Sequence, residues 1–418
     1  MFLRRKYKLM ILLILLLALP IFFLFQYQIN QSSMIKDTDP ALQLRCAIIS
    51  INGDEELANY TSIGDGTVRN PYVIEDLIIT ECWKPVNETV SVLSDALFIN
   101  KTNAHLIIRN CIFQNGVRGI YLQNVSNIQL INNTINNFND FGIEGRYCEN
   151  ITIIGNDLDD NRIGLDLMYS GNGQILKNSI CYSTLDGILL QGSYIGYFSF
   201  SYNIINNNGR NGISLYSTNN NTFTYNTLIN NNNKGVYVFS GENNTFHHNS
   251  IGLNGEYGIT VLSNNNEFHD NLILRDALGT FSDSGTGNSF SNNDYGEWND
   301  TDNDGLFNLE EINLKCNAFI VDTDWDNLDD KIESNYGCDP TKKDTDGDGF
   351  SDGFEIALGT NPLSATDYPG IPDPSSDNSI TSLQQLVNLI FIILIITLAL
   401  AIISISINIL QWYSLKKE

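Results

Sequence analysis

Apolar residues return in step along the middle of this chain. Ile107, Leu130, Ile153, Ile175, Phe200, Phe223, Phe246 and Phe268 each stand three residues before an asparagine: Asn110, Asn133, Asn156, Asn178, Asn203, Asn226, Asn249 and Asn271. Two residues beyond each asparagine comes Ile112, Ile135, Leu158, Ile180, Ile205, Leu228, Ile251 or Ile273. A third register is set by Gly119, Gly142, Gly164, Gly187, Gly212, Gly235 and Gly258, with gaps of 22 to 25 residues. After each glycine the first and third residues are mostly Ile, Leu or Val and those between are mixed, the period-2 signature of a half-buried strand. A unit this short has no room for a pair of helices. Equal units stacked about 4.8 Å apart make parallel sheets whose inward residues form ladders. Separate antiparallel hairpins do not explain why like residues recur in register. The fold class this predicts is all-β, a parallel solenoid over 69–297 behind a capping segment at 31–68.

Two longer apolar runs flank this body. "LMILLILLLALPIFFLF" follows Arg4, Arg5, Lys6 and Lys8, and reads as a signal sequence or signal anchor over 1–30. "LVNLIFIILIITLALAIISISINIL", Leu386 to Leu410, is uncharged and long enough to span about 30 Å of hydrocarbon. It predicts a transmembrane helix at 385–411. Lys416 and Lys417 in the tail 412–418 place that tail in the cytoplasm and the body outside.

Residues two and four places after each glycine face outward. On that face Glu144 and Asp166 fall on adjacent coils about 5 Å apart, the separation of carboxylates in a retaining glycosidase. Arg146 and Tyr121 stand beside them, either to bind sugar hydroxyls or, for Arg146, simply to pair the acids. Tyr216, Tyr237 and Phe239 form an aromatic strip on which sugars or proteins stack, unless a loop covers it. His247 and His269 share one position on successive coils and are a weak pair for a soft metal.

Beyond residue 297 the pattern changes. "DTDNDGLFNLEE", "DTDWDNLDDKIE" and "DTDGDGFSDGFE" begin at residues 300, 322 and 344. Each puts aspartate at loop positions 1, 3 and 5 (Asp300, Asp302, Asp304; Asp322, Asp324, Asp326; Asp344, Asp346, Asp348). Position 7 supplies a backbone carbonyl (Leu306, Leu328, Phe350). Position 9 is a side-chain oxygen (Asn308, Asp330, Asp352), and position 12 a glutamate (Glu311, Glu333, Glu355). Hard oxygen ligands at this spacing select calcium. Position 6, where the chain needs a left-handed residue, falls to Gly305, Asn327 and Gly349. Ten residues separate successive loops, and "SNYGCDPTKK" holds Gly337 and Pro340, so the flanking helices of a calcium sensor do not fit. Calcium is expected to be structural over three repeats at 298–366, joined by an extended linker, 367–384, to the apolar run.

Net charge is −25, which excludes nucleic acid as a partner. Much of that charge is the loop ligands themselves, so without a cation this segment repels itself. Seven cysteines suit an oxidising compartment. Asn-x-Ser/Thr sequons begin at Asn59, Asn87, Asn100, Asn124, Asn132, Asn150, Asn220, Asn243 and Asn299, so glycosylation is open to a chain placed outside.

The repeats, of which "GIYLQNVSNIQLINNTINN" and "GVYVFSGENNTFHHNSI" are good examples, resemble the right-handed parallel β-helix repeats of NosD-type and carbohydrate-active proteins. The lead-in "GDGTVRNPYVIEDLIIT" is similar to that family's entry to its first coil. The acidic loops and the link "GTNPLSATD" resemble thrombospondin type-3 calcium repeats. Cys316 and Cys338 each precede a loop by six residues, and a disulfide between them is expected. The combined expectation is a cell-membrane protein with its bulk outside, displaying a face for a polysaccharide or a cell-surface protein on a calcium-stabilised stalk. The alternative is an extracellular polysaccharide hydrolase or lyase centred on Glu144 and Asp166.

Overall fold

A computed structural model describes residues 49–367 and 369, apart from 62, 81–82, 88–89 and 193–195. Both terminal apolar runs lie outside these residues, as does nearly all of the linker. No helix among the described residues is long and apolar enough to cross a membrane.

The body is a parallel β-helix. One row runs Phe98, Tyr121, Glu144, Asp166, Leu189, Ser214, Tyr237, Thr260, Ser282, each residue paired with the next coil's. Across the coil a second row runs Ile108, Leu130, Ile153, Ile175, Phe200, Phe223, Phe246, Phe268, Phe290. A third sheet pairs Leu228, Ile251 and Ile273. The sheet begins before residue 69: Ile49–Asn52 already pairs with Leu97–Asn100, and α1 (Asp54–Tyr60) follows with Leu57 buried. Trp83–Asn87 and Val90–Leu93 add an antiparallel hairpin.

Inside, the ladders are continuous. Phe200, Phe223, Phe246, Phe268 and Phe290 stack with ring centroids 4.3–5.0 Å apart. The asparagines form a hydrogen-bonded column: each Oδ1 accepts the backbone N–H and, from Asn133 on, the Nδ2 of its counterpart one coil earlier. Two further columns, Asn208–Asn231–Asn254 and Asn221–Asn244–Asn266, do the same at other corners. These amides turn the chain while leaving no buried donor unpaired, the condition for burying polar groups at all. The glycine register has a steric cause: a Cβ on Gly212 would stand 2.8 Å from the Gly235 carbonyl, and one on Gly235 2.7 Å from that of Gly258.

The first coil shifts by one place from the expected register. Cys111, not Asn110, donates its N–H to Asn133, and Ile108, not Ile107, pairs with Leu130. Asn110 is instead the left-handed corner residue at φ 54°, a place held in later coils by Asn132, Lys177, Tyr202, Tyr225 and His248. Asparagine is favoured at both places, ladder and corner, and only the backbone distinguishes them.

The described residues divide into two compact units inside the second acidic loop, after Asp324, with 329–331 returning to the first. The first unit therefore holds the β-helix, the first loop and α2 (Asn308–Leu314). The second holds most of α3 (Asp330–Tyr336), the third loop and α4 (Asp352–Leu358).

Candidate functional site

The row Tyr121–Glu144–Asp166 forms as its spacing predicts, with Glu144 and Asp166 in direct register. Its exposure differs from the expectation of an open acid pair, because both side chains are fully buried. Each lies mid-sheet, and longer neighbours close over it. Arg118 donates from Nη1 to Glu144 Oε2 at 2.7 Å, and Arg146 from Nε to Oε1 at 2.6 Å. The same Arg118 forks onto Asp95 at 2.8 Å on both oxygens and lies 3.7 Å over the Tyr121 ring, which stacks on Phe98. Sequence reading missed Arg118 and Asp95, whose only signal was their place just ahead of the glycine column. Asp166 Oδ1 accepts from Gln191 Nε2, and Oδ2 is buried without a partner. Burial, more than the neighbouring Glu144, pushes the Asp166 carboxyl up to about 7.

Further along the same face the aromatic strip is open. Tyr216 lies 5.3 Å from Phe239 and meets Tyr237 edge-on at 6.1 Å. Phe239 is 48% exposed, and both tyrosines are half-buried. A register shift after Leu215 pairs Tyr216 with Ser240, and Phe239 is the residue passed over. Lys234 stands 5.3 Å over Tyr237 and pairs with Glu256, while Arg210 pairs with Asp186. Tyr121, expected beside the acids as part of the outward ligand face, is held in the Arg118–Phe98 stack.

The acidic loops build a second kind of site. In the first loop Asp300, Asp302 and Asp304, and in the third Asp344, Asp346 and Asp348, bring carboxylate oxygens within 4.8 Å of one another. Gly305 (φ 97°), Asn327 (φ 74°) and Gly349 (φ 98°) make the left-handed turn at position 6. The position-5 carboxylates accept the N–H of position 7, at Leu306, Leu328 and Phe350. Buried oxygens without a protein partner mark where a cation fits: Asp300 Oδ1, Asp302 Oδ2 and both oxygens of Glu311 in the first loop, and Asp346 Oδ2, Asp348 Oδ2 and Glu355 Oε2 in the third. Burial, then Asp302 and Asp304, pushes Glu311 up to about 9. In the second loop Asp322, Asp324 and Asp330 belong to one unit, and Asp326, Leu328 and Glu333 to the other.

The position-9 side chains, expected as ligands, also accept from the threonine at loop position 2. Thr301 donates to Asn308 Oδ1, and Thr323 and Thr345 each donate from both backbone N–H and hydroxyl to Asp330 and Asp352. These three side chains open helices α2, α3 and α4 and brace the loop from behind. Spacing alone does not separate a brace from a ligand, since both need an oxygen there. Cys316 and Cys338, expected to form a disulfide, are both buried and fall in different units. Each sulfur is taken within its own repeat, Cys316 by Asp330 and Cys338 by Asp352.

His247 and His269 stack in parallel at 5.1 Å. Parallel rings point their in-plane lone pairs alongside one another. Each Nδ1 also has a partner, His248 for one and Asp270 for the other. Among the described residues the clusters of three or more metal-ligating side chains are the acidic loops.

Residues 107–305 match the family model described as periplasmic copper-binding protein (NosD). The β-helix is NosD-like. Residues 344–365 match the bacterial TSP3 repeat. No curated protein matches the chain. Among solved structures, pectate lyase Pel9A is 15% identical with a TM-score of 0.45, over 58% of this chain and 66% of its own. The GH136 lacto-N-biosidase of Eubacterium ramulus is 15% identical with a TM-score of 0.39, over 60% of each chain. The A-module of the mannuronan C-5 epimerase AlgE4 of Azotobacter vinelandii is 14% identical with a TM-score of 0.30, over 58% of this chain and 96% of its own. The chain spans less than two thirds of the length of the first of these. Among the described residues the aromatic strip and the acidic loops are two arrangements with open chemistry.

Proposed function

We propose that this protein is a surface-displayed glycan-binding β-helix, carried outside the cell on calcium-stabilised repeats and held to the membrane by its terminal apolar run. The observation that carries the binding role is the strip Tyr216–Tyr237–Phe239, three rings grouped on an outward face with polar Arg210, Lys234 and Glu256 alongside. Sugar rings stack on such aromatic surfaces while their hydroxyls pair with the polar edge. The periplasmic description of the NosD family supports a body outside the cytoplasm. In the repeats the partnerless oxygens support calcium, held by positions 1, 3, 5 and 12, with position 7 contributing its carbonyl. The bound ion would neutralise the clustered carboxylates and fix the loop around them.

The polysaccharide-cleaving alternative keeps one point in its favour: Asp166, a carboxyl pushed up to about 7, sits beside an arginine-paired Glu144. Full burial of both weighs against it. Glycan-array binding by the native chain and by Tyr237→Ala/Phe239→Ala is the test. The double variant is expected to lose binding while keeping its melting temperature. Binding unchanged in the double variant removes the strip as the site, and turnover of any polysaccharide that Asp166→Asn abolishes restores the enzyme reading.

A further inference from the structure

We propose that the first acidic loop is a clasp: its cation fastens the segment Asn308–Phe319 over an apolar strip on the third sheet of the β-helix. This rests on the calcium reading of the loops and assigns the first of them a separate task. Ile312, the residue after Glu311, is fully buried and packs with Ile229, Leu272, Leu274 and Ala318. The strip is shaped for it. Gly252 stands in register between Ile229 and Leu274, and a Cβ there would come 2.9 Å from Ile312 Cγ2. Beyond the helix, Asn317 Nδ2 donates to the Tyr225 carbonyl at 2.8 Å, and the Ala318 N–H to Ser250 Oγ at 3.0 Å. Phe319 meets Tyr225 and His248 edge-on.

Those contacts have to hold a short helix against the cost of burying a carboxylate. Helix α2 is seven residues long, too short to persist by itself, and its apolar contact is small. Glu311 carries two buried oxygens with no protein partner immediately beside Ile312. Docking Ile312 therefore buries Glu311, and an uncompensated carboxylate opposes that burial. A cation shared with Asp300, Asp302 and Asp304 removes the opposition, so the same ion that closes the loop closes the clasp. When it leaves, Ile229, Leu272 and Leu274 become a free apolar surface.

The test is hydrogen exchange on the full chain, with calcium or with a chelator, beside calorimetric calcium titration of the same preparation. Exchange over 308–319 is expected to be at least about tenfold faster with chelator, while the coils around 128–176 stay protected. The signal of a dye that fluoresces on apolar surface should rise above its calcium-bound level then. Ile312→Ser is expected to titrate with the native calcium stoichiometry and yet lose protection over 308–319 with calcium present. Calcium binding with equal exchange in both conditions, or full protection in Ile312→Ser, overturns the clasp and leaves the calcium reading standing. No calcium uptake in the titration overturns both.

Discussion

Asn203 and Glu311 are equally inaccessible to water, one inside the β-helix and the other in the first acidic repeat. Around Asn203 nothing is wanting. Its Oδ1 accepts from the N–H and Nδ2 of Asn178, and its Nδ2 donates to Ile175 O and to Asn226 Oδ1. Around Glu311 both oxygens lack a protein partner. A neutral amide both donates and accepts, so identical copies satisfy one another at every coil. A carboxylate only accepts, so a group of them cannot satisfy one another and needs donors or a cation from elsewhere. The β-helix asparagines supply their own partners, whereas the Glu311 carboxylate has none from the protein.

The largest effect that sharpens this contrast is removal of calcium. In chelator, α4 and the third loop are expected to unfold, and limited proteolysis mapped by mass spectrometry should cut within 332–367 while the coils from 112 to 291 resist. Equal resistance with and without chelator would put the repeats in the same class as the β-helix. Next comes the interior itself. Phe223→Ala removes a ring stacked on both sides and is expected to cost about 3–5 kcal/mol in denaturant unfolding of the coils. Asn203→Leu strands two donors of Asn178 and the Ile175 carbonyl, and should cost about 2–4 kcal/mol by the same measurement. Neither substitution should alter calcium stoichiometry.

The smallest effect is the most diagnostic. Asp276 stands where the Asn208–Asn231–Asn254 column would have its next amide, accepting both donors of Asn254 on Oδ1 while Oδ2 is buried without a partner. Burial pushes its carboxyl up to about 7. A raised carboxyl stabilises the fold fully below the ordinary carboxylate range, and that contribution is lost as pH rises through about 7. Asp276→Asn should therefore change melting temperature little at pH 4, raise it at pH 8, and flatten the profile between. An unchanged pH profile would show that a carboxylate is as well accommodated in that column as an amide.

Residue spacing made the solenoid legible because stacking turns equal spacing into contact: Phe200, Phe223, Phe246 and Phe268 had to lie on one another once the coils were equal. The acid clusters were legible for a similar reason, since aspartates at alternate places along one tight turn bring their oxygens together. What failed was what depends on direction. Asn110 and Cys111 exchanged places because asparagine suits both a left-handed corner and a ladder. At position 9 an oxygen bracing a threonine and an oxygen facing an ion look alike in one dimension. The cysteines took equivalent places, each beside a carboxylate of the loop that follows it.

By itself, then, the sequence determined the period, the inward columns and the three acid clusters, all set by local chain geometry repeated many times. Only the tertiary structure decided which outward residues stay outward. Glu144 and Asp166 point away from the core and are still buried, because Arg118, Tyr121, Arg146 and Gln191 from three different coils surround them. Tyr216 and Phe239 belong to the same face and are not covered. Exposure depends on what neighbouring coils place on either side of a residue, a sum over distant parts of the chain that no spacing rule contains.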